Sequence, residues 1–489
     1  MKLKELMRGV EVLHLNGSED TEITEIVYDS RKVSKGCLFV CIKGFKVDGH
    51  VYLDGAIEAG AAAILVEDLP EAEKDAAIIQ VPDTRKAMAV MSANFFGNPA
   101  EKLTVVGLTG TKGKTTTTHM MKAMLEDAGH KVGMIGTLGA YVGSEKLPTK
   151  NTTPESHELH RLFAQMVEAG CSYVVMEVSS QAFKLDRVYG ITFDYGLFLN
   201  ISHDHIGAGE HADFAEYFGC KKEIFKNSKM TIINGDDALV AEAAGAVKNV
   251  VTVSCKKEAD YYASSMQNTW TDGMLGVEFT VAGKADFTAR LSMPGIYNVA
   301  NALSAIAFAK EAGIPESAII SGLARTFVKG RTQVMKETAH FATFIIDYAH
   351  NELSTESLLT TLQEYKPKRL ICLFGGGGNR DRMRRVDMGR VAAKYADLIV
   401  LTMDNPRDEE VEHINQDIIE GINVHQGKYE TIIDREEAIK HLIEISQPGD
   451  IVALLGKGHE EYQEIKGVKY HFSEEEVIKK YAPLRESHV

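Results

Sequence analysis

The residues with the plainest chemical purpose are Gly110, Thr111, Lys112, Gly113, Lys114, Thr115 and Thr116. An apolar run, LTVVGL, precedes this glycine-rich turn, and a helical pattern, THMMKAMLEDAG, follows it. Strand, turn and helix in that order make a phosphate loop. Backbone amides of the turn and the helix N-terminus hold phosphates. Lys114 neutralises the β and γ oxygens, and the Thr115 hydroxyl is placed to ligate magnesium. Leu108 stands where the general GxxxxGK[ST] pattern has its first glycine, so this is the shorter GTxGKT form. Read alone, the loop implies a nucleoside triphosphate, ATP or GTP.

Two further apolar runs aim polar residues at the same region. CSYVVMEVSS delivers Glu177, a carboxylate able to hold magnesium directly or through water. DYGLFLNISHDH delivers Asn200, His203, Asp204 and His205, and its histidines read either as metal ligands or as polar loop residues. Nearer the C-terminus, four apolar runs each end in a polar cluster. FATFIIDYAH ends at Asp347 and His350, and LICLFGGGGNRD at glycines, Asn379 and Arg380. LIVLTMDNPR ends at Asp404, Asn405 and Arg407, and IVALLGKGHE at Lys457, His459 and Glu460. Ligands of open parallel sheets bind beyond the carboxyl ends of the strands, so four polar ends point to one shared site. Ordinary solvated loops are the alternative for any one of them.

The elements that must position these residues are those of an α/β protein in three domains. Residues 1–100 alternate strands (CLFVCIKG, AAAILVE, AAIIQV) with a helix, VYLDGAIEAGA, and form a small α/β unit. FFGNPAEKL reads as a linker. Residues 101–332 carry the phosphate loop on a mostly parallel sheet, with added antiparallel strands in LGVEFTVAGKADFTARLSMPG. Residues 333–489 return to strand and helix in alternation, a Rossmann-like α/β pattern. A chain of 489 residues is long enough for about three cores. The net charge of −15 argues against a nucleic-acid face. Six scattered cysteines without a CxxC pair read as reduced thiols of a cytoplasmic protein. No signal peptide and no membrane span are expected.

Taken together, the motifs resemble the Mur ligases, and the likeness covers essentially the whole chain. YDSRKVSKGCLFVCIKGFKVDGH is similar to the family's uridine-binding segment, with Ser30 at the substrate position. NTTPES and MEVSSQAFKLDRV resemble the segments that hold the muramoyl-peptide, which implies that role for Asn151, Thr152, Thr153, Ser179 and Arg187. EYFGCKKEIF resembles the segment with a carbamylated lysine, so the resemblance puts a carbon dioxide-derived carbamate on Lys221. From the residues alone, Lys221 reads as an unmodified surface lysine. The same likeness implies nucleotide-binding roles for Asn298, Asn301, Arg331 and Asp347.

DNPR, from Asp404 through Asn405 and Pro406 to Arg407, resembles the recognition motif of the branch that adds meso-diaminopimelate. That amino acid carries a second carboxylate, which a guanidinium can bind in bidentate fashion and which lysine lacks. Arg385, Gly456 and Glu460 fall on the other matching positions. Departures occur at Gln181, Gly207, Asn351, Asn379 and at Thr332-Gln333. The resemblance implies ATP-dependent amide ligation through an acyl phosphate, onto UDP-MurNAc-L-Ala-D-Glu, with Thr115, Glu177, His205 and carbamylated Lys221 around magnesium. It further implies a cytoplasmic monomer without nucleic-acid or membrane partners. The alternatives are a divergent ligase adding another amino acid such as lysine, and a nucleotide-binding paralogue without catalysis.

Overall fold

In a computed structural model, residues 1–44, 47–72, 74–204, 206–207 and 210–484 are described. The chain divides into two units, Met1–Val253 with Ser304–Pro315, and Ser254–Leu303 with Glu316–Val489.

The first unit holds two sheets. The smaller has strands ordered His14–Asn16, Ala77–Gln80, Ala63–Val66, Leu38–Val40, Ile26–Val27. All neighbours are parallel except His14–Asn16. The expected N-terminal strands are all present, and VYLDGAIEAGA begins within a 3-10 turn, Gly49–Tyr52, and continues as the helix Leu53–Glu58. Asp83 caps the helix Thr84–Phe95 by accepting from the amides of Arg85 and Lys86.

The larger sheet runs Val250–Ser254, Ser228–Asn234, Phe193–Phe198, Thr104–Thr109, Tyr173–Glu177, Val132–Gly136 in parallel. It continues into Gly139–Val142 and Glu145–Leu147 as an antiparallel meander. Parallel strands covered on both faces need continuous apolar sequence. Val132–Gly136 is buried along its whole length, and Thr104–Thr109 from Val105 onward. The strand carrying the phosphate loop lies between those ending at Glu177 and Phe198, so three sequence-distant ends become neighbours.

In the second unit, Tyr261–Thr271, Met274–Gly283 and Phe287–Leu291 form an antiparallel ribbon. Alternating burial along Phe287–Leu291 matches the period of a strand with one covered face. A six-stranded sheet follows, ordered Gln333–Met335, Thr343–Asp347, Asp450–Leu455, Arg369–Phe374, Leu398–Leu401, Tyr429–Thr431. Only Gln333–Met335 is antiparallel. The four strands with polar ends are therefore consecutive neighbours. A two-stranded hairpin, Tyr462–Ile465 with Val468–His471, stands apart from this sheet. Helices rich in Ile and Leu cover both faces, as in Val411–Asn423 and Arg435–Ile445. No described helix is long and apolar enough to cross a membrane.

Candidate active site

In the first unit, the turn after Thr109 is closed by Gly113, whose φ of +87° is left-handed and admits the sharp entry into helix Lys114–Asp127. Asn200 clamps this loop: its Oδ1 accepts from the Lys112 amide at 2.8 Å, and its Nδ2 donates to the Lys112 carbonyl at 3.0 Å. Lys114 Nζ rests on the carbonyls of Gly110 (2.8 Å) and Thr111 (3.3 Å). Thr116 is buried in the first helical turn. Lys112 is exposed and pairs with Asp204 at 3.4 Å.

The Thr115 hydroxyl donates to Glu177 Oε1 at 2.9 Å. Glu177 is 1% exposed and also accepts from the Thr137 amide (2.9 Å) and hydroxyl (3.2 Å). A hydroxyl and a buried carboxylate in contact, beside a phosphate loop, fit a magnesium ion that completes its shell with phosphate and water. Among the described residues no group of three or more His, Cys, Asp or Glu forms a metal cage, and such a shared ion needs none. His205, also expected here, lies outside the described residues.

Lys221, read from the residues alone as a surface lysine, is 2% exposed, and its Nζ donates to Gly110 O at 2.9 Å. Burial, and then the nearby charge of Lys114, push its ammonium well below the ordinary lysine range. The neutral amine this favours is the form that reacts with carbon dioxide. Thus Lys114 and Lys221 meet on one carbonyl.

Thr153 lies behind Glu177, its hydroxyl donating to the Glu177 carbonyl at 2.9 Å and accepting from the Ser179 amide at 3.1 Å. Ser179 caps helix Ser180–Lys184. Thr152 reaches Thr137 at 3.2 Å, and Asn151 is exposed beside them. Arg187 donates to the Thr153 carbonyl (3.2 Å) and to Glu155 (2.9 Å). Glu155 also holds Arg85 at 3.0 Å. Ser30, half-buried, opens the 3-10 turn Ser30–Lys32. Thr137 and Glu155 carry no catalytic pattern in the sequence; only their places after an apolar strand and inside NTTPES hint at them.

In the second unit, Asn298 and Asn301 lie in the first turns of helix Ile296–Glu311 and are buried. Asn298 Nδ2 donates to the Pro294 carbonyl at 2.7 Å. The Arg331 guanidinium lies 4.8 Å from the Tyr348 ring centre. Asp347 accepts from the amides of Thr332 (2.6 Å) and Ala349 (2.7 Å), and burial holds its carboxyl above the usual range. Its oxygens shape the loop around Arg331.

The four polar strand ends converge. Gly456 N donates to the Asp347 carbonyl, and Gly378 N to the Asn405 carbonyl. Asn405 Nδ2 donates to Glu460 Oε2 at 2.9 Å, while its Oδ1 accepts from Lys457 Nζ (2.9 Å) and the Glu464 amide (3.0 Å). Arg407 has a left-handed backbone, φ +52°, pinned by bonds from its N–H to Glu464 O (3.0 Å) and from Lys466 N–H to its own carbonyl (2.8 Å). Its guanidinium donates to Gly378 O at 2.6 Å and Glu464 at 3.3 Å. Asp404 and Pro406 are buried in the same loop. Arg385 is bound by Glu409, Asp417 and the Gly377 carbonyl, so its charge is met by the protein itself. Below the cluster, buried Arg435 pairs with Glu474 at 2.8 Å and donates to the carbonyls of Met403 and Leu455, the residues before Asp404 and Gly456.

Three family models match the chain in succession. The Mur ligase family catalytic domain matches residues 22–96, the Mur ligase middle domain 108–309, and the Mur ligase glutamate ligase domain 330–458. Curated relatives match over nearly their full length. The UDP-N-acetylmuramoyl-L-alanyl-D-glutamate--2,6-diaminopimelate ligase of Clostridium perfringens (strain 13 / Type A) is 41% identical over 98% of this chain and 99% of its own. The protein of the same name from Clostridioides difficile (strain 630) is 38% identical over 98% of each. A solved structure of a ligase with that name covers 100% of both chains, with a TM-score of 0.73 and 27% identity. With these matches spanning the phosphate loop, the buried lysine and the DNPR loop alike, the chain belongs to the Mur ligase family.

Proposed function

We propose that the chain is the ATP-dependent ligase that joins meso-diaminopimelate to UDP-MurNAc-L-Ala-D-Glu. The observation that carries this reading is the DNPR loop, where Arg407 is held on the Gly378 carbonyl and Glu460 on Asn405; there Arg407 would read an anion and Glu460 a cation. The distal end of diaminopimelate offers both charges; lysine offers only the ammonium. The names of the curated relatives agree. Division into residues 1–100, 101–332 and 333–489, for nucleotide-linked substrate, ATP and amino acid, is part of the proposal.

A terminal carboxylate oxygen of the dipeptide forms a bond to the γ-phosphorus, and ADP leaves. The amine of the incoming amino acid then attacks the acyl carbon, and phosphate leaves. Lys114 leaves its carbonyl partners for the phosphates and stabilises the charge that develops there. Thr115 and Glu177, with His205 and a carbamate on Lys221, would hold magnesium, which supplies Lewis-acid charge neutralisation. Thr152, Thr153, Ser179 and Arg187, and Ser30 at the uridine, would orient the acid; Arg187 exchanges Glu155 for a substrate carboxylate. Asn298, Asn301, Arg331 and Asp347 would hold the nucleotide, and Arg385 and Gly456 complete the amino-acid pocket. The protein is taken to act in the cytoplasm as a monomer, which sedimentation can check.

The test supplies ATP, magnesium, UDP-MurNAc-L-Ala-D-Glu and a panel of amino acids, and follows phosphate release and product mass. A product with meso-diaminopimelate is expected. Product with lysine instead refutes the role given to Arg407, and no release with any amine favours a nucleotide-binding protein without catalysis.

A further inference from the structure

Lys457 is completely buried, yet it sits in a loop at a strand end, between Gly456 and Glu460. A buried ammonium must find acceptors for its protons, because no water replaces them. All the polar partners found for it belong to the amino-acid pocket. Nζ lies 2.9 Å from Asn405 Oδ1, 3.2 Å from Glu460 Oε2 and 3.8 Å from Asp404 Oδ1. The Tyr462 ring lies 5.4 Å away. The contact with Asn405 also fixes which way its amide points. Two donors, Lys457 Nζ and the Glu464 amide, converge on Oδ1, so Nδ2 must face Glu460.

We infer that Lys457 is a specificity-determining positioning residue: its buried charge orients Asn405 and offsets Asp404 and Glu460, so that the pocket does not accept a bare cation. This rests on the activity proposed above and names a further residue of the same pocket. Without Lys457, two carboxylates face the pocket without their shared counter-charge. An ammonium-only side chain such as that of lysine is then drawn in more strongly, while Glu460 and Asn405 lose the arrangement that suits diaminopimelate.

The test measures ligation kinetics of the full chain for Lys457→Met and Lys457→Arg, with meso-diaminopimelate and L-lysine as acceptors. In Lys457→Met, KM for diaminopimelate should rise at least tenfold. The preference for diaminopimelate over lysine in kcat/KM should fall at least tenfold. KM for ATP and for the UDP-linked acid should stay within about threefold. Lys457→Arg keeps the charge and should keep most of the preference. A KM for diaminopimelate within twofold of wild type, an equal rise in KM for ATP, or an unchanged preference in Lys457→Met overturns the inference. Loss of the folded state in both variants does so too, since it makes Lys457 a core residue only. Wild-type protein in the same assay separates the two readings. An inactive wild type sinks the proposed activity, whereas an active one with an unaltered Lys457→Met sinks only the role of Lys457.

Discussion

Arg435→Met tests whether the floor beneath the amino-acid pocket is an ion pair on which the fold depends. Arg435 and Glu474 are 0% and 1% exposed at their side chains, and two guanidinium nitrogens meet Glu474 Oε1 at 2.8 and 3.0 Å. Removing the cation leaves a carboxylate buried without its counter-charge and takes a donor from each of the carbonyls of Met403 and Leu455. Breaking a buried pair in this way costs about 3–5 kcal/mol. With a urea dependence of about 1–3 kcal/mol per molar, the unfolding midpoint should fall by about 1 M or more. The reporter is built in. Trp270 is the single tryptophan, lies in the same unit, and donates to Thr343 Oγ1 at 3.1 Å. Fluorescence in urea therefore follows that unit.

The pH dependence has a fixed sign. Burial already raises the Glu474 carboxyl, and Arg435 opposes that rise. In the variant it rises further, so the folded state binds the proton more tightly than the unfolded chain. Stability is then regained as pH falls from neutrality toward the ordinary glutamate range. The deficit of Arg435→Met should be largest at neutral pH. Arg435→Met with Glu474→Leu should recover most of it, since apolar replacement of a buried pair is often neutral. A midpoint shift below about 0.3 M, or a double variant as weak as the single, refutes this account.

Other perturbations reach the chemistry itself. A Cβ at Gly136 would lie 2.3 Å from Glu177 Oε1, so Gly136→Ala should displace that carboxylate and lower kcat at least about tenfold at saturating ATP, with a rise in the magnesium needed for half-maximal rate. Lys221→Ala should lose activity and regain part of it with added short carboxylic acids; full activity without additive removes the carbamate from the mechanism. Glu464→Gln keeps an acceptor for Arg407 but removes a charge, so KM for diaminopimelate should fall by about twofold to fivefold, on the scale of one partly exposed ion pair; a rise instead shows that the charge orients Arg407.

The strands were legible because fully covered parallel strands leave long apolar runs, as in LTVVGL and IVALLG. The convergence of their polar ends followed from the same pattern. Pair contacts across the fold were not legible. Arg435 and Glu474 are 39 residues apart, and Arg385 and Glu409 are 24 apart. Nothing in local periodicity links such positions. Lys221 read as a surface lysine because its burial depends on the neighbouring loop at Gly110, not on its helix Phe214–Lys226. The helix near Asn298 begins at Ile296, so both asparagines fall inside it, where small polar residues give no boundary signal.

The hairpin braces Arg407 from its inner strand and turn, through the Glu464 carbonyl, the Lys466 amide and the Glu464 carboxylate. Its outer strand, Val468–His471, is exposed at every position. Main-chain pairing is indifferent to which side chains the strand carries. Lineages can therefore accumulate substitutions there while the choice of amino acid stays constant, and mutational drift on that face should carry no record of which amino acid the enzyme selects.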